Sequence, residues 1–156
     1  MANPTREAVF AALWTRVSNA SNFTTKGRTV RHWSQLTPEA FNAIFMGKAA
    51  ESIERMRGLP PKVTLNAMLY VYVRSNIASD DLAVSPSEVL DPILDAIDAA
   101  LKPDATDPVK GNVCTLGGIV SHAWIEGEVL TSEGTLGDIE VALVPVAVLV
   151  PALVNH

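Results

Sequence analysis

The chain has 156 residues, the size of one ordinary domain, and 48% of them are apolar, enough for a core and too many for a disordered segment. Its net charge of −5 lacks the broad basic footprint that tight, non-specific binding to DNA or RNA requires. The single cysteine, Cys114, excludes an internal disulfide or a multi-cysteine zinc site and suits a reducing compartment. The first ten residues, MANPTREAVF, lack the charged and then apolar pattern of a signal peptide. The longest apolar run, Val141 to Val154, is interrupted by Pro145 and Pro151 and is too short and β-branched to cross a membrane as a helix. A soluble cytosolic protein is expected.

In chain order, Asn3-Pro4 suits a helix start, and Val9, Phe10, Leu13, Trp14 and Val17 form one apolar stripe at helical spacing, ending near Asn19. Thr24 to Trp33 reads as a mostly polar edge strand, Leu36 to Glu39 as a turn, and Phe41 to Met46 as a second short strand, with a helix starting at Thr37 to Ala40 as the alternative. Gly47 to Pro61 is polar, carries Glu51, Glu54, Arg55 and Arg57, and ends in Gly58-Leu59-Pro60-Pro61. It reads as a long projecting connection, with at most a helical turn at Ala49 to Arg55. Val63 to Val73 alternates cleanly for eleven residues, with an apolar face of Val63, Leu65, Ala67, Leu69, Val71 and Val73. Its other face, with Met68, Tyr70 and Tyr72, is semi-polar and suits contact with a partner.

Ser85-Pro86-Ser87-Glu88 has capping-box spacing for a second helix. Leu90, Ile93, Leu94, Ile97 and Leu101 form its buried stripe, and Asp91, Asp95 and Asp98 its wet side. Pro92 predicts a late start or a kink there. A Pro/Asp/Gly loop follows, and then two β-type runs between Leu116 and Val150, joined by Thr131-Ser132-Glu133-Gly134. The second run, Ile139 to Val150, is apolar on both alternating faces and must be covered on both. We expect the helices to cover one side and a neighbouring copy part of the other, with Val144, Val146, Val148 and Val150 at the contact between copies. The predicted architecture is a single α+β domain spanning 1–156. A mixed or antiparallel sheet of about five strands carries two helices on one face.

A search for chemistry finds no catalytic or cofactor-binding constellation. His32, His122 and His156 stand at no metal-ligand spacing, and no calcium loop, GxSxG or phosphate loop is present. His122, Trp124 and Glu126 share one strand face, which fits an interface better than acid–base work because no nucleophile or second base accompanies them. Cys114 reads as a buried or loop thiol rather than a nucleophile. Gly117-Gly118 marks a bulge or bend. Lys26, Arg28 and Arg31 form a small basic cluster that suggests a local contact with an acidic neighbour rather than a nucleic-acid site. No catalytic, cofactor or metal residues are therefore assigned.

The chain resembles the tail terminator, or tail completion, proteins of long-tailed bacteriophages over roughly residues 5 to 151. The likeness rests on Gly58 to Lys62 leading into Tyr70-Val71-Tyr72-Val73-Arg74, on Val89 to Leu101, and on Leu116 to Gly127. Glu133-Gly134 and the run Val144-Pro145-Val146 to Val150-Pro151 complete it. The resemblance implies a ring of six subunits that caps the tail tube, stops its polymerisation and offers the face that joins the head. It implies no enzymatic activity and no cofactor. The implied partners are the chain itself, the tail tube protein and a head–tail connector or neck protein, with phage DNA passing through the ring without sequence-specific binding. The implied location is the virion, assembled in the host cytoplasm, with no membrane partner. Glu51, Glu54, Arg55 and Arg57 are the expected partner contacts of the projecting segment, residues 47–61. The alternatives are another neck protein, or a small enzyme or ligand-binding domain with a pocket lined by His122, Trp124, Tyr70 and Tyr72.

Overall fold

The computed structural model of the chain describes residues 3–55, 57–59, 61–74, 86–108, 111–132, 139–151 and 153. Its helices are α1 (Arg6–Ser18) and α2 (Pro86–Ala100). Its strands are β1 (Thr25–Gly27), β2 (Ala43–Glu54), β3 (Lys62–Arg74), β4 (His122–Ile125), β5 (Leu130–Thr131) and β6 (Ile139–Val150). They form one six-stranded sheet in the order β1-β2-β3-β6-β4, with β5 also on β6. β1 runs parallel to β2 and all other pairings are antiparallel. The fold is α+β as expected, with six strands rather than about five and with both helices packed into one core on one sheet face.

The core follows from the period-two pattern of β3. Val63, Leu65, Ala67, Leu69, Val71 and Val73 are each at most 1% exposed. Register places Val63 opposite Val150 and Val71 opposite Ala142, so the even-numbered residues of β6 share that face. Val9, Phe10, Leu13 and Val17 of α1 and Leu90, Ile93 and Ile97 of α2 close over it. Thr5 caps α1, its Oγ1 accepting from Ala8 N at 3.0 Å, two residues later than the Asn3-Pro4 start. α2 runs through Pro92, which lies on its exposed side, where water can reach the carbonyl left over by the missing N–H. Ser85, the expected cap, lies outside the described residues.

Pro145 has a positional role within β6. Its carbonyl accepts from Glu126 N at 3.0 Å, so its nitrogen also faces the β4 side of the ladder. β4 pairs only up to Val146, and β5 begins at Leu143. The residue without an N–H therefore sits in the gap between these two short strands, where no donor is needed.

Two sequence expectations are corrected. The segment 24–33 forms a strand only over Thr25–Gly27; the chain then makes two single-turn 3-10 helices, Trp33–Gln35 and Pro38–Ala40. Trp33, Leu36 and Phe41 of this segment cover Ala43, Phe45 and Tyr72 on the face away from the helices. The expected loop 47–61 is strand as far as Glu54, pairing with β3 from Ala43 opposite Tyr72 to Glu54 opposite Lys62. Only residues 55–61 connect the hairpin. A register shift between Lys48 and Glu51 inserts one extra residue into β2, and Asn66 Nδ2 donates to the carbonyl of Ala50 there at 2.8 Å. The bulge turns Glu51 to the helix side of the sheet.

The buried stripe of α2 distinguishes two neighbouring leucines. Leu90 is fully buried, whereas Leu94 is half-buried at the edge of the core. Leu90→Ala should cost about 2–5 kcal/mol and Leu94→Ala clearly less. Urea unfolding of the two variants checks this, and equal losses would contradict the packing described.

Candidate assembly surfaces

The doubly apolar strand β6 has one face inside the molecule. Val144, Val146, Val148 and Val150 are each at most 1% exposed and pack with both helices. They are core residues of a single chain, not a surface between copies. The antiparallel register with β3 decides this, because it sets the valines beside β3's own core face. The outward face of β6 carries Val141, Leu143, Pro145 and Leu149, all half-exposed, and Ala147, which is buried. A charge at Val146 or Val148 would act on the fold first.

The opposite face of β3 is divided. Tyr72 lies buried under the 33–41 segment, its hydroxyl donating to Arg31 O at 2.7 Å, and burial pushes its pKa up. Tyr70 packs at the edge of this small second core, and Met68 remains half-exposed. Half of the face expected to meet a partner is thus covered by the chain itself. The proposed ligand pocket of His122, Trp124, Tyr70 and Tyr72 does not assemble. Tyr70 stands opposite Leu143 and Trp124 opposite Ala147, about 13 Å apart along the strands and on different ones. His122 and Trp124 instead stack on each other, with ring centroids 4.9 Å apart, and Trp124 Nε1 donates to Glu126. His122 Nδ1 accepts from Cys114 N at 3.1 Å, which ties β4 to the preceding loop.

The four charged residues expected to meet partners divide as well. Glu51 is held within the chain by Arg6 of α1, through Nε at 2.5 Å and Nη2 at 3.1 Å. Arg28 similarly binds Glu7 of α1 and holds its carboxyl below the usual range, so one member of the basic cluster meets an acidic neighbour. Glu54, Arg55 and Arg57 stay exposed at the β2–β3 tip, beside Leu59, which is 60% exposed. Across the sheet, a groove of about 420 Å³ opens between α2 and the β4–β5 flank. Leu94, Ile125, Val129 and Val144 line it, with Asp95 and Asp98 on its α2 side. Sequence reading missed this groove because its wall comes from separate segments; Asp95 and Asp98, two members of the acidic row of α2, were its legible edge, and both are exposed.

A polar clasp fixes the loop beneath α2. Arg16 reaches from α1 to Ala100 O at 3.2 Å, Asp104 Oδ2 at 2.9 Å and Cys114 Sγ at 3.4 Å. Cys114 is fully buried, and burial pushes its thiol up, which disfavours the thiolate. Asp107 accepts from Thr115 Oγ1 at 2.6 Å, from Thr115 N, and from Asp104 N at 2.7 Å. The following turn carries Leu116, Gly117 and Gly118 at positive φ, so the double glycine is a bend ahead of β4. Among the described residues, no group of three or more His, Cys, Asp or Glu is placed to hold a metal ion, and no helix is long and apolar enough to cross a membrane.

Burial alone would raise the Asp107 pKa, but the hydrogen bonds from Thr115 and Asp104, with the nearby Arg16 cation, outweigh it and hold the carboxyl low. Its contribution to stability is therefore full above the ordinary aspartate range and is lost as pH falls through the lower folded value. Asp107→Asn should be less stable than the parent near neutral pH, and the gap should narrow in acid. Urea midpoints measured from neutral to acid pH check this; a gap constant across that range would contradict it.

Comparison with family models finds no match, and neither does comparison with curated proteins. Among solved structures the fold is similar to a chain from the virion of a native gene transfer agent particle. The TM-score is 0.52 at 9% sequence identity, over 91% of this chain and 93% of that one. The likeness spans most of both chains and is one of fold.

Proposed function

We propose that the chain is a virion structural protein that forms a ring, a hexamer by the resemblance, on the end of a phage tail tube. The ring ends polymerisation of the tube and offers the surface for head joining. The observation that carries this reading is the end-to-end fold likeness to a chain from a gene transfer agent virion, at a similar chain length. The resemblance in Gly58 to Lys62, Val89 to Leu101 and Leu116 to Gly127 supports the same role. The partners are other copies of the chain, the tail tube protein and a connector or neck protein, with DNA passing through the ring. The protein belongs to the virion after assembly in the host cytoplasm. It needs no cofactor and catalyses no reaction in this role.

A ring-former assembles at high concentration or on purified tail tubes. Sedimentation of the protein alone and with tubes, and imaging of tails made without it, test the reading. The expected result is a ring at the tube end, and overlong tails without heads when the protein is missing. Tails of normal length joined to heads in its absence would refute the terminator role. Binding to heads but not to tubes would favour a different neck protein.

A further inference from the structure

We propose that copies join head to tail, the β2–β3 hairpin tip of one copy seating in the groove between α2 and the β4–β5 flank of the next. This rests on the ring reading and names its contact. The groove is apolar within, through Leu94, Ile125 and Val129 above a floor formed by the buried Val144, and acidic on its α2 side, through Asp95 and Asp98. The tip has the complementary character. Leu59 is its most exposed large apolar side chain, at 60%, and Arg55, Arg57 and Lys62 flank it, outnumbering the one acid there, Glu54 opposite Lys62. Among the described residues, the salt bridges leave all three cations and Asp95 without an ion-pair partner, while Asp98 is held only loosely by Lys102 at 3.6 Å. An apolar residue set among cations thus faces an apolar groove edged by carboxylates, the arrangement that aligns partners and excludes wrong ones.

The tip cannot satisfy its own groove. β2 and β4 are separated by β3 and β6, so about 14 Å lies between them across the sheet. The tip lies beyond the Val63–Val150 pair, whereas the groove opens at Val144, about 20 Å along β6. Tip and groove are also different surfaces, so one copy offers each to a different neighbour. Such a contact is heterologous and closes into a ring when its rotation allows. The groove contact also explains why Leu94 is only half-buried in the isolated chain.

Charge reversal tests this in the full chain. Arg55→Glu with Arg57→Glu, or Asp95→Lys with Asp98→Lys, should each raise the concentration needed for assembly by roughly tenfold or more. Urea midpoints should stay near the parent value, because exposed charges contribute little to stability. Mixing the two reversed proteins should restore assembly, because in an alternating ring each Glu tip meets a Lys groove and each parent tip a parent groove, and the four changes in one chain should restore it as well. Independently, Leu59→Cys and Val129→Cys on separate chains should form a disulfide-linked pair only when mixed and oxidised. Cross-linking of Leu59→Cys with itself would indicate a two-fold contact and overturn the proposal. Assembly that survives both reversals would overturn the docking and leave the ring reading standing. Reversals at the tip that spare self-assembly but abolish binding to tail tubes would assign the tip to the tube instead. A parent protein that never assembles, alone or on tubes, would overturn both.

Discussion

The twelve-residue ladder between β3 and β6, from Val63 opposite Val150 to Arg74 opposite Ile139, determines where the other elements lie. It aligns two apolar faces of matching length on one side of the sheet. That continuous surface is too wide for one helix, and α1 and α2 share it. The same ladder places β6 between two neighbours, so its other edge must also be paired. Pro145 cannot donate on that edge, and along β6 the pairing is accordingly split into β5 before it and β4 after it.

What lies on the outer face is set by what the ladder leaves uncovered. The 33–41 segment closes over Phe45 and Tyr72 at one end of the sheet, with Trp33, Leu36 and Phe41 as its apolar side chains. At the other end, β4 and β5 are too short to screen the edge fully. Val129 and Leu130 remain 38% and 54% exposed. Apart from Val30, the exposed large apolar side chains among the described residues therefore lie at the β4–β5 flank and towards the β2–β3 tip.

The central elements were legible because their signals are long and repeated. The alternation of β3 and the Leu90-Ile93-Ile97 stripe of α2 each run over many residues, and the structure places them together as read. The segment 47–54, GKAAESIE, was not legible, because its alanines and glutamates carry weak strand preference and the bulge near Ala49 and Ala50 breaks the alternation. β3 imposes strand geometry on it by offering a free edge to pair with. The valines of β6 were assigned to the wrong face for a different reason. Period two identifies two faces but not which one meets the helices, and only the register with β3 resolves that. The expected charged contacts failed in part because Glu51 sits just past the bulge, where a one-residue insertion moves it from an outward arm to the side of Arg6.

The charge distribution acquires meaning in this frame. A net charge of −5 describes the chain as a whole but neither of its ends. The acidic residues of α2 stand exposed along one flank, whereas Arg55, Arg57 and Lys62 gather at the hairpin tip. The clasp of Arg16, Asp104 and Asp107 ties α1 to the loop after α2 and, through Thr115, to the approach to β4. It therefore fixes the helix that forms one wall of the groove relative to the strand that forms the other. A rigid groove loses little freedom when it receives a rigid hairpin, so a contact of modest size can still be specific. Stability within the chain and selectivity between chains then depend on the same arrangement: the polar clasp below α2 maintains the shape that the acidic side of α2 presents.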